Sequence, residues 1–221
     1  MDKAGRPFPQ QRQQMVEQQL RARGVRDTAV LQAFNTVPRE LFVPRPHRVY
    51  AYDDTPLPIP AGQTISQPYV VAHMLALLAL RHSNRVLEVG TGSGYAAAVL
   101  SRIVAEVHTV ERHQVLVDYA RKRLMQLGYE NVFVHHGDGT RGWPDAAPYN
   151  AIIVAAGGPG VPESLKEQLA VNGRLVIPVG PNPRQQRLIL VKRTGETTYR
   201  QRELSPVAFV PLIGVEGWEN A

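Results

Sequence analysis

Several residue types and segments are missing from this sequence, and each absence removes a class of function. The 221 residues contain no cysteine, which excludes disulfides and thiolate metal sites, and we expect no metal site. The longest apolar stretch, residues 70–80, is interrupted by His73 and is too short to span a bilayer. Residues 1–19 are polar and rich in glutamine, without the hydrophobic segment of a secretory signal. We therefore expect a cytoplasmic protein that does not associate with a membrane.

The excess of positive charge is modest and dispersed. There are 25 basic and 19 acidic residues, a net charge of +6. The densest cluster, residues 121–123, lies in a segment with helical periodicity, where a solvated face is the simplest interpretation. A non-catalytic nucleic-acid-binding protein would need a continuous basic stripe with stacking aromatics, but Trp143 and Trp218 lie apart from the basic clusters. We therefore expect no nucleic-acid partner.

The first third of the chain predicts helices followed by an irregular layer. Residues 1–10, with two prolines and a glycine, predict a disordered segment. Residues 11–23 predict a helix that ends at Gly24, and Asp27 is the expected N-cap of a second helix that ends before Pro38. The proline-rich stretch up to residue 60 cannot be regular helix, and its tyrosines favour an ordered layer.

From residue 68 onward the pattern alternates between helices and short β-branched strands. Strands are predicted at residues 85–89, 106–110, 131–135, 149–154 and 173–179, and helices after Pro68 and at 95–103, 113–127 and 162–170. Residues 187–192 and 197–203 predict an antiparallel hairpin at the sheet edge. Alternating elements of this kind predict an α/β fold with a doubly wound, mostly parallel, Rossmann-like sheet and an N-terminal helical extension.

A glycine-rich turn follows the first of these strands. Gly90, Gly92 and Gly94 have the spacing G-x-G-x-G, and glycine permits positive φ and close approach of a ligand. The helix N-terminus that follows favours an anionic group. A dinucleotide fingerprint has the longer spacing G-x-G-x-x-G, which disfavours an NAD-dependent oxidoreductase. The shorter turn fits a ligand that carries a carboxylate and a nucleoside, and thus indicates S-adenosylmethionine; a tight turn without a ligand is the alternative.

Three acidic residues stand at the predicted carboxyl ends of successive strands. Glu88 precedes the glycine turn, Glu111 ends the second strand, and Asp138 ends the third. A carboxylate at the position of Glu111 can accept hydrogen bonds from both ribose hydroxyls, and one at Asp138 from an adenine amino group. Open α/β sheets bind ligands at this edge, so the three acids together predict a nucleoside site.

Several motifs also occur in the order typical of one enzyme family. The sequence resembles the protein-L-isoaspartate O-methyltransferases from about Met15 to Leu212. The motifs that carry the resemblance are PRELFVP at 38–44, QTISQPY at 63–69, VLEVGTGSG at 86–94, GDG at 137–139, YNAIIV at 149–154 and GRLVIPVG at 173–180. The glycine turn is shared with many methyltransferases, whereas the segments at 39–44 and 64–68 are diagnostic of this family.

The resemblance implies an activity and a set of site residues. The family methylates the α-carboxylate of L-isoaspartyl residues or the β-carboxyl of D-aspartyl residues in damaged proteins. The ester then collapses to a succinimide that reopens partly to aspartate. The resemblance implies that Ser66 is the active-site serine. It implies that the cofactor is bound by Thr64, Ile65, Gln67, Glu88, Gly90, Thr91, Gly92, Gly94, Glu111, Asp138 and Gly139.

Three further expectations accompany the resemblance. It implies a monomer, and residues 1–221 are expected to form one methyltransferase domain, with 11–80 as a substrate-side layer and 81–221 as the Rossmann-like core. Asn150 stands where the family commonly has aspartate, and the loop at 155–159 is richer in glycine than is usual in the family; these departures leave the local shape of the substrate rim open, but not the chemistry. A methyltransferase for RNA or a small molecule is the rival interpretation, but the proline-rich motif common among amine methyltransferases is missing at 150–152.

Overall fold

The N-terminal region of the computed structural model, which describes residues 5–219, is helical from Phe8 onward. Helix α1 spans Phe8–Gln14 and continues as a π-helix over Met15–Arg21. The prediction of a disordered segment over 1–10 is therefore wrong for residues 8–10, while residues 1–4 lie outside the described part. Pro9 belongs to the first turn of α1, where the missing N–H breaks no helical hydrogen bond.

The predicted N-cap of the second helix is confirmed. Helix α2 spans Thr28–Thr36, and the Asp27 side chain accepts a hydrogen bond of 3.1 Å from the Val30 N–H. The helix ends one residue before the Val37-Pro38 peptide, as expected from the restriction that proline places on the residue before it.

The proline-rich stretch forms short turns and a small sheet. Two 3-10 helices cover Arg39–Leu41 and Arg45–Tyr50. Strand β1 (Leu57–Pro58) then pairs antiparallel with β2 (Thr64–Ile65). This layer is ordered and contains no regular α-helix, as predicted, and β2 delivers the chain to Ser66.

A seven-stranded sheet forms the centre of the molecule, in the order β5-β4-β3-β6-β7-β8-β9. Its strands are β3 (Arg85–Val89), β4 (Glu106–Glu111), β5 (Val132–His136), β6 (Tyr149–Val154), β7 (Leu169–Asn182), β8 (Gln185–Arg193) and β9 (Tyr199–Val207). Strands β3 to β7 run parallel, and β8 and β9 form the antiparallel hairpin at the edge. The predicted fold class is confirmed.

Helices cover both faces of this sheet. They are α3 (Pro68–Leu78), α4 (Tyr95–Ser101), α5 (Gln114–Gln126) and α6 (Glu163–Glu167). On β3 the side chains alternate between two apolar clusters, with Val86 in one and Leu87 and Val89 in the other. Helix α6 is shorter than predicted because Leu169 already pairs with Tyr149 in the sheet. Within residues 5–219, every helix is too short or too polar to traverse a lipid bilayer.

Candidate functional site

The glycine turn lies at the carboxyl end of β3 and lines a cavity. All three glycines adopt positive φ, at 93° for Gly90, 53° for Gly92 and 85° for Gly94. A Cβ on Gly92 would stand 3.3 Å from the Ile59 side chain. The backbone of the turn therefore packs closely against Ile59, and both the positive φ and this contact disfavour a side chain at Gly92.

Residues from both halves of the chain line this cavity, which we call the cofactor cavity. They include Thr64, Ile65, Ser66, Met74, Glu88, Gly90, Thr91, Gly92, Tyr95, Glu111, Gly139, Ala155, Phe209, Val210 and Leu212. Most of the predicted cofactor-binding residues are thus brought together around one space. Gly94 is not among the lining residues; it precedes α4, and a Cβ there would contact Leu124 and Ala120.

Glu111 fixes the shape of the glycine turn. One carboxylate oxygen accepts the Gly92 N–H at 2.9 Å and the other accepts the His113 N–H at 3.0 Å. The side chain is buried but belongs to the cavity lining. Each carboxylate oxygen has a second lone pair, so Glu111 can hold the turn and still accept a hydroxyl from a ligand.

Glu88 is a fully buried carboxyl at the bottom of the cofactor cavity. Burial raises its pKa to about 8; the neighbouring Glu111 also raises the pKa, and a hydrogen bond from Thr109 opposes the shift. The Thr109 hydroxyl donates to Glu88 at 2.6 Å, and the Thr91 hydroxyl lies 2.6 Å from that of Thr109. The hydroxyl hydrogen of Thr109 is used in the hydrogen bond to Glu88, so the Thr91 hydroxyl is the donor in its hydrogen bond with Thr109. A chain of hydroxyls therefore connects Glu88 to the glycine turn.

Asp138 is engaged by protein groups. Thr140 donates to one carboxylate oxygen from its N–H at 2.9 Å and from its hydroxyl at 2.7 Å, and the Val215 N–H donates to the other at 2.8 Å. Desolvation raises the pKa of Asp138, but these hydrogen bonds outweigh it and leave the pKa below its ordinary value. Asp138 is not part of the cavity lining, although Gly139 is. Its contact with an adenine amino group stays a prediction.

A second cavity opens beside the first, and we call it the substrate cavity. It is lined by Arg23, Pro56, Thr64, Ser66, Gln67, Tyr69, Val70, His73, Ala155, Phe209, Val210 and residues 205–208. Five residues line both cavities: Thr64, Ser66, Ala155, Phe209 and Val210. Ser66 therefore lies at the junction of the two spaces.

The segment around Ser66 leaves its hydroxyl available to a ligand. The N-cap residue of α3 is Gln67, and no side chain among the described residues caps this helix. Ser66 therefore does not cap this helix. Gln67 lines only the substrate cavity, and its amide donates to the Asp54 carbonyl at 3.0 Å.

Residues 209–213 form one wall of the cofactor cavity, and we call this segment the C-terminal wall. The buried amide of Gln186 brackets its first residue: it accepts the Phe209 N–H at 2.9 Å and donates to the Phe209 carbonyl at 3.0 Å. Gly157 accepts the Leu212 N–H at 2.8 Å and donates to Val210 at 2.8 Å. A Cβ on Gly157 would overlap Gln186, which explains the glycine-rich loop. The role of Gln186 has no signal in the local sequence.

The structure places Asn150 away from both cavities. Asn150 lies near the amino end of β6, whereas the cavities lie at the carboxyl ends of the strands. Its side-chain oxygen accepts the Arg85 N–H at 2.8 Å. Asn150 therefore connects β6 to β3 at the amino ends of these strands, and its uncharged amide oxygen is the hydrogen-bond acceptor.

Known proteins are similar to this chain over nearly its whole length. The protein-L-isoaspartate(D-aspartate) O-methyltransferase family matches residues 10–217. Protein-L-isoaspartate O-methyltransferase 2 of Pelobacter propionicus is 60% identical over 207 residues, which cover 94% of this chain and 92% of that protein. Protein-L-isoaspartate O-methyltransferase of Rhodopseudomonas palustris is 57% identical over 206 residues, which cover 93% and 94%.

Solved structures agree with the sequence comparison. One protein-L-isoaspartate O-methyltransferase matches with a TM-score of 0.84 at 32% identity, over 93% of this chain and 67% of that one. Another, from Plasmodium falciparum in complex with S-adenosyl-L-homocysteine, matches with a TM-score of 0.79 at 26% identity, over 91% and 98%. The resemblance found in the motifs is confirmed. The chain belongs to the protein-L-isoaspartate(D-aspartate) O-methyltransferase family.

Proposed function

We propose that this protein transfers a methyl group from S-adenosylmethionine to the free carboxyl of L-isoaspartyl residues, and to the β-carboxyl of D-aspartyl residues, in damaged proteins and peptides. The observation that carries the proposal is the pair of cavities that meet at Ser66. One cavity has the glycine turn and the acids of a nucleoside site, and the other is open to a peptide. The methyl ester then collapses to a succinimide, which reopens partly to aspartate and so begins repair.

The residues of the cofactor cavity fit S-adenosylmethionine. Gly90 and Gly92 present backbone without side chains, and Glu111 has acceptor capacity for ribose hydroxyls. Glu88 adds a buried carboxyl that keeps its proton near neutral pH and can therefore donate a hydrogen bond to the cofactor. When bound, the cofactor supplies a methyl group activated by its sulfonium. We propose that Thr64, Ile65, Thr91 and Gly139 complete the binding surface.

The reaction does not require a strong base. A substrate carboxyl with a reference pKa of roughly 3.9 is already ionised near neutral pH. The protein therefore needs to place the carboxylate in line with the methyl group and to remove water from it. The Ser66 hydroxyl, a neutral donor at the junction of the cavities, suits that orientation. A lysine in direct contact would stabilise the unreacted carboxylate too strongly.

The extra methylene of an isoaspartyl residue is in the backbone, so recognition must read the main chain. The substrate cavity is bounded by an extended segment at 205–210 and by residues of the 55–67 layer. Extended peptides commonly bind through main-chain hydrogen bonds to such segments. We propose that isoaspartyl peptides bind in this way. We also propose that the protein is a single-domain monomer in the cytoplasm and that it requires neither nucleic acid nor a membrane.

The test is methyl transfer from radiolabelled S-adenosylmethionine to an isoaspartyl peptide and to its normal aspartyl twin. Label is expected in the first peptide only, and mild base should release it because the bond is an ester. Label that resists base, or that enters both peptides equally, would assign a different substrate class.

The role of Ser66 is tested by Ser66→Ala. We expect kcat on the isoaspartyl peptide to fall about tenfold to a hundredfold, since misplacement of the carboxylate slows an in-line transfer, while the Kd of the cofactor stays unchanged. Ser83→Ala, in an exposed loop, is the matched control. Unchanged kcat in Ser66→Ala would refute the orienting role.

A further inference from the structure

Arg39 is a fully buried cation, and the Asp54 carboxylate interacts with it only at longer range than an ion pair. Its side chain has 0% exposure, and the ion pairs of residues 5–219 do not include it. The adjacent Glu40 is hydrogen-bonded to the Tyr52 hydroxyl instead. Guanidinium does not lose its proton in proteins, so the positive charge remains inside the fold.

The guanidinium holds the backbone of the Ser66 segment. Its Nε donates to the Ala51 carbonyl at 2.8 Å, and Nη2 donates to the Ser66 carbonyl at 2.8 Å. It lies 4.9 Å from the centre of the Tyr95 ring, and Tyr95 lines the cofactor cavity. Its third nitrogen, Nη1, is buried and has no hydrogen-bond partner. Arg39 therefore contacts neutral groups only.

This arrangement is costly for folding alone. Removal of a charge from water is unfavourable when no ion pair is formed, and even a buried ion pair can often be replaced by apolar residues without loss of stability. A neutral side chain would satisfy one or two carbonyls at a lower cost. The burial of a full charge behind Ser66 thus calls for an explanation outside the free protein.

The first turn of α3 adds to the positive potential at the same place. Its first intrahelical acceptor is the Gln67 carbonyl, which receives the Val71 N–H. The N–H groups before Val71 belong to the helix N-terminus, which attracts anions. Ser66, Gln67, Tyr69 and Val70 line the substrate cavity. An anion in this cavity would therefore face the helix N-terminus, with the charge of Arg39 behind it.

We infer that Arg39 is a positioning residue that holds Ser66 and supplies the positive charge that selects a free carboxylate in the substrate cavity. The inference rests on the proposed function. The cation acts through the Ser66 peptide group and without direct contact, so it attracts the carboxylate while leaving its oxygens free to react. The substrate carboxylate adds a counter-charge to a buried arginine whose acidic neighbour, Asp54, is paired with Arg23.

The test compares two peptides on the protein saturated with S-adenosylhomocysteine, so that no turnover occurs. One peptide contains isoaspartate, and the other has a carboxamide in place of its free carboxyl. Calorimetry gives the Kd of each for the wild type and for Arg39→Met and Arg39→Lys. Arg39→Met should raise the Kd of the carboxylate peptide about tenfold or more, which is the scale of one lost charge interaction. The Kd of the carboxamide peptide should change much less.

The lysine variant keeps the inference testable if the methionine variant does not fold. Burial lowers the pKa of a lysine at this position, so the discrimination between the two peptides by Arg39→Lys should approach the wild-type ratio of Kd values as the pH falls from about 8 to about 6 and the amine gains its charge. If Arg39→Met raised the Kd of both peptides equally, or kept the wild-type ratio of the two Kd values, the inference would be overturned. A ratio in Arg39→Lys that does not change as the pH falls would overturn it as well. The proposed function fails separately, if the wild type does not methylate the isoaspartyl peptide at all.

Discussion

Replacement of Glu88 by glutamine should stabilise the free protein at neutral pH. Folding buries this carboxyl, and its pKa rises from 4.5 to about 8. Between these values the folded protein holds a proton that the unfolded chain has released. A raised folded pKa means that stability is complete below pH 4.5 and is lost as pH rises toward 8. Glutamine is neutral at every pH and keeps an oxygen that can accept from Thr109, so the variant avoids this loss.

The size of the effect follows from the shift in pKa. Each pH unit within the window lowers the free energy of unfolding by about 1.4 kcal/mol. Between pH 5 and 7.5 this amounts to roughly 3 kcal/mol, a large part of the stability of an ordinary domain. Because Glu88 is 1% exposed, little screening by solvent reduces it.

Urea unfolding of the wild type and Glu88→Gln at several pH values measures the difference. From pH 5 to 7.5 the free energy of unfolding of the wild type should decline by roughly 3 kcal/mol relative to that of the variant. Glu130→Gln, which removes an exposed carboxyl, is the control and should follow the wild type. Parallel curves for Glu88→Gln and the wild type would show that Glu88 ionises normally in the folded protein, and the burial argument would be refuted.

Two other substitutions test the walls of the site. Gly139→Ala should lower the free energy of unfolding, measured with urea, by about 1–3 kcal/mol and raise the Kd of the cofactor, because the new Cβ would overlap Val89. Gly137→Ala is the control and should change neither quantity, because its Cβ would lie 3.8 Å from Val110. Gln186→Leu removes the amide that brackets Phe209, so KM for the isoaspartyl peptide should rise about fivefold or more while the exposed control Gln185→Leu leaves it unchanged. An unchanged KM in Gln186→Leu would mean that Phe209 holds its place without the bracket.

Local patterns predicted the parts of the molecule that depend on neighbours in sequence. The strand before Gly90 and the turn after it follow from apolar β-branched residues and from glycines at fixed spacing. The Asp27 cap was predictable because capping involves residues three positions apart. The start of α1 was missed because Pro9 was read as a breaker, although proline is tolerated in a first helical turn.

Contacts between distant residues were not predictable in this way. Arg39 reaches the Ser66 carbonyl across 27 positions, and Asp138 meets Val215 across 77. A carboxylate at a strand end predicts a polar partner, but its local sequence does not say whether a ligand or the protein provides it. The local sequence of Asp138 therefore predicts a cofactor contact, and it does not reveal that Thr140 and Val215 also donate hydrogen bonds to this carboxylate.

The attachment of the C-terminal wall has a consequence for partial denaturation. The C-terminal wall is held to the rest of the protein by an isolated β-bridge between Gly157 and Pro211 and by the hydrogen bonds of the Gln186 amide. Strands β7 and β8, in contrast, are paired along most of their length. Segments with few cooperative hydrogen bonds open at lower free energy than core strands. Mild denaturant should therefore abolish catalysis while the circular dichroism of the sheet is still intact. The molecule would then persist as a folded but inactive species, so its catalytic half-life and its melting temperature are separate properties.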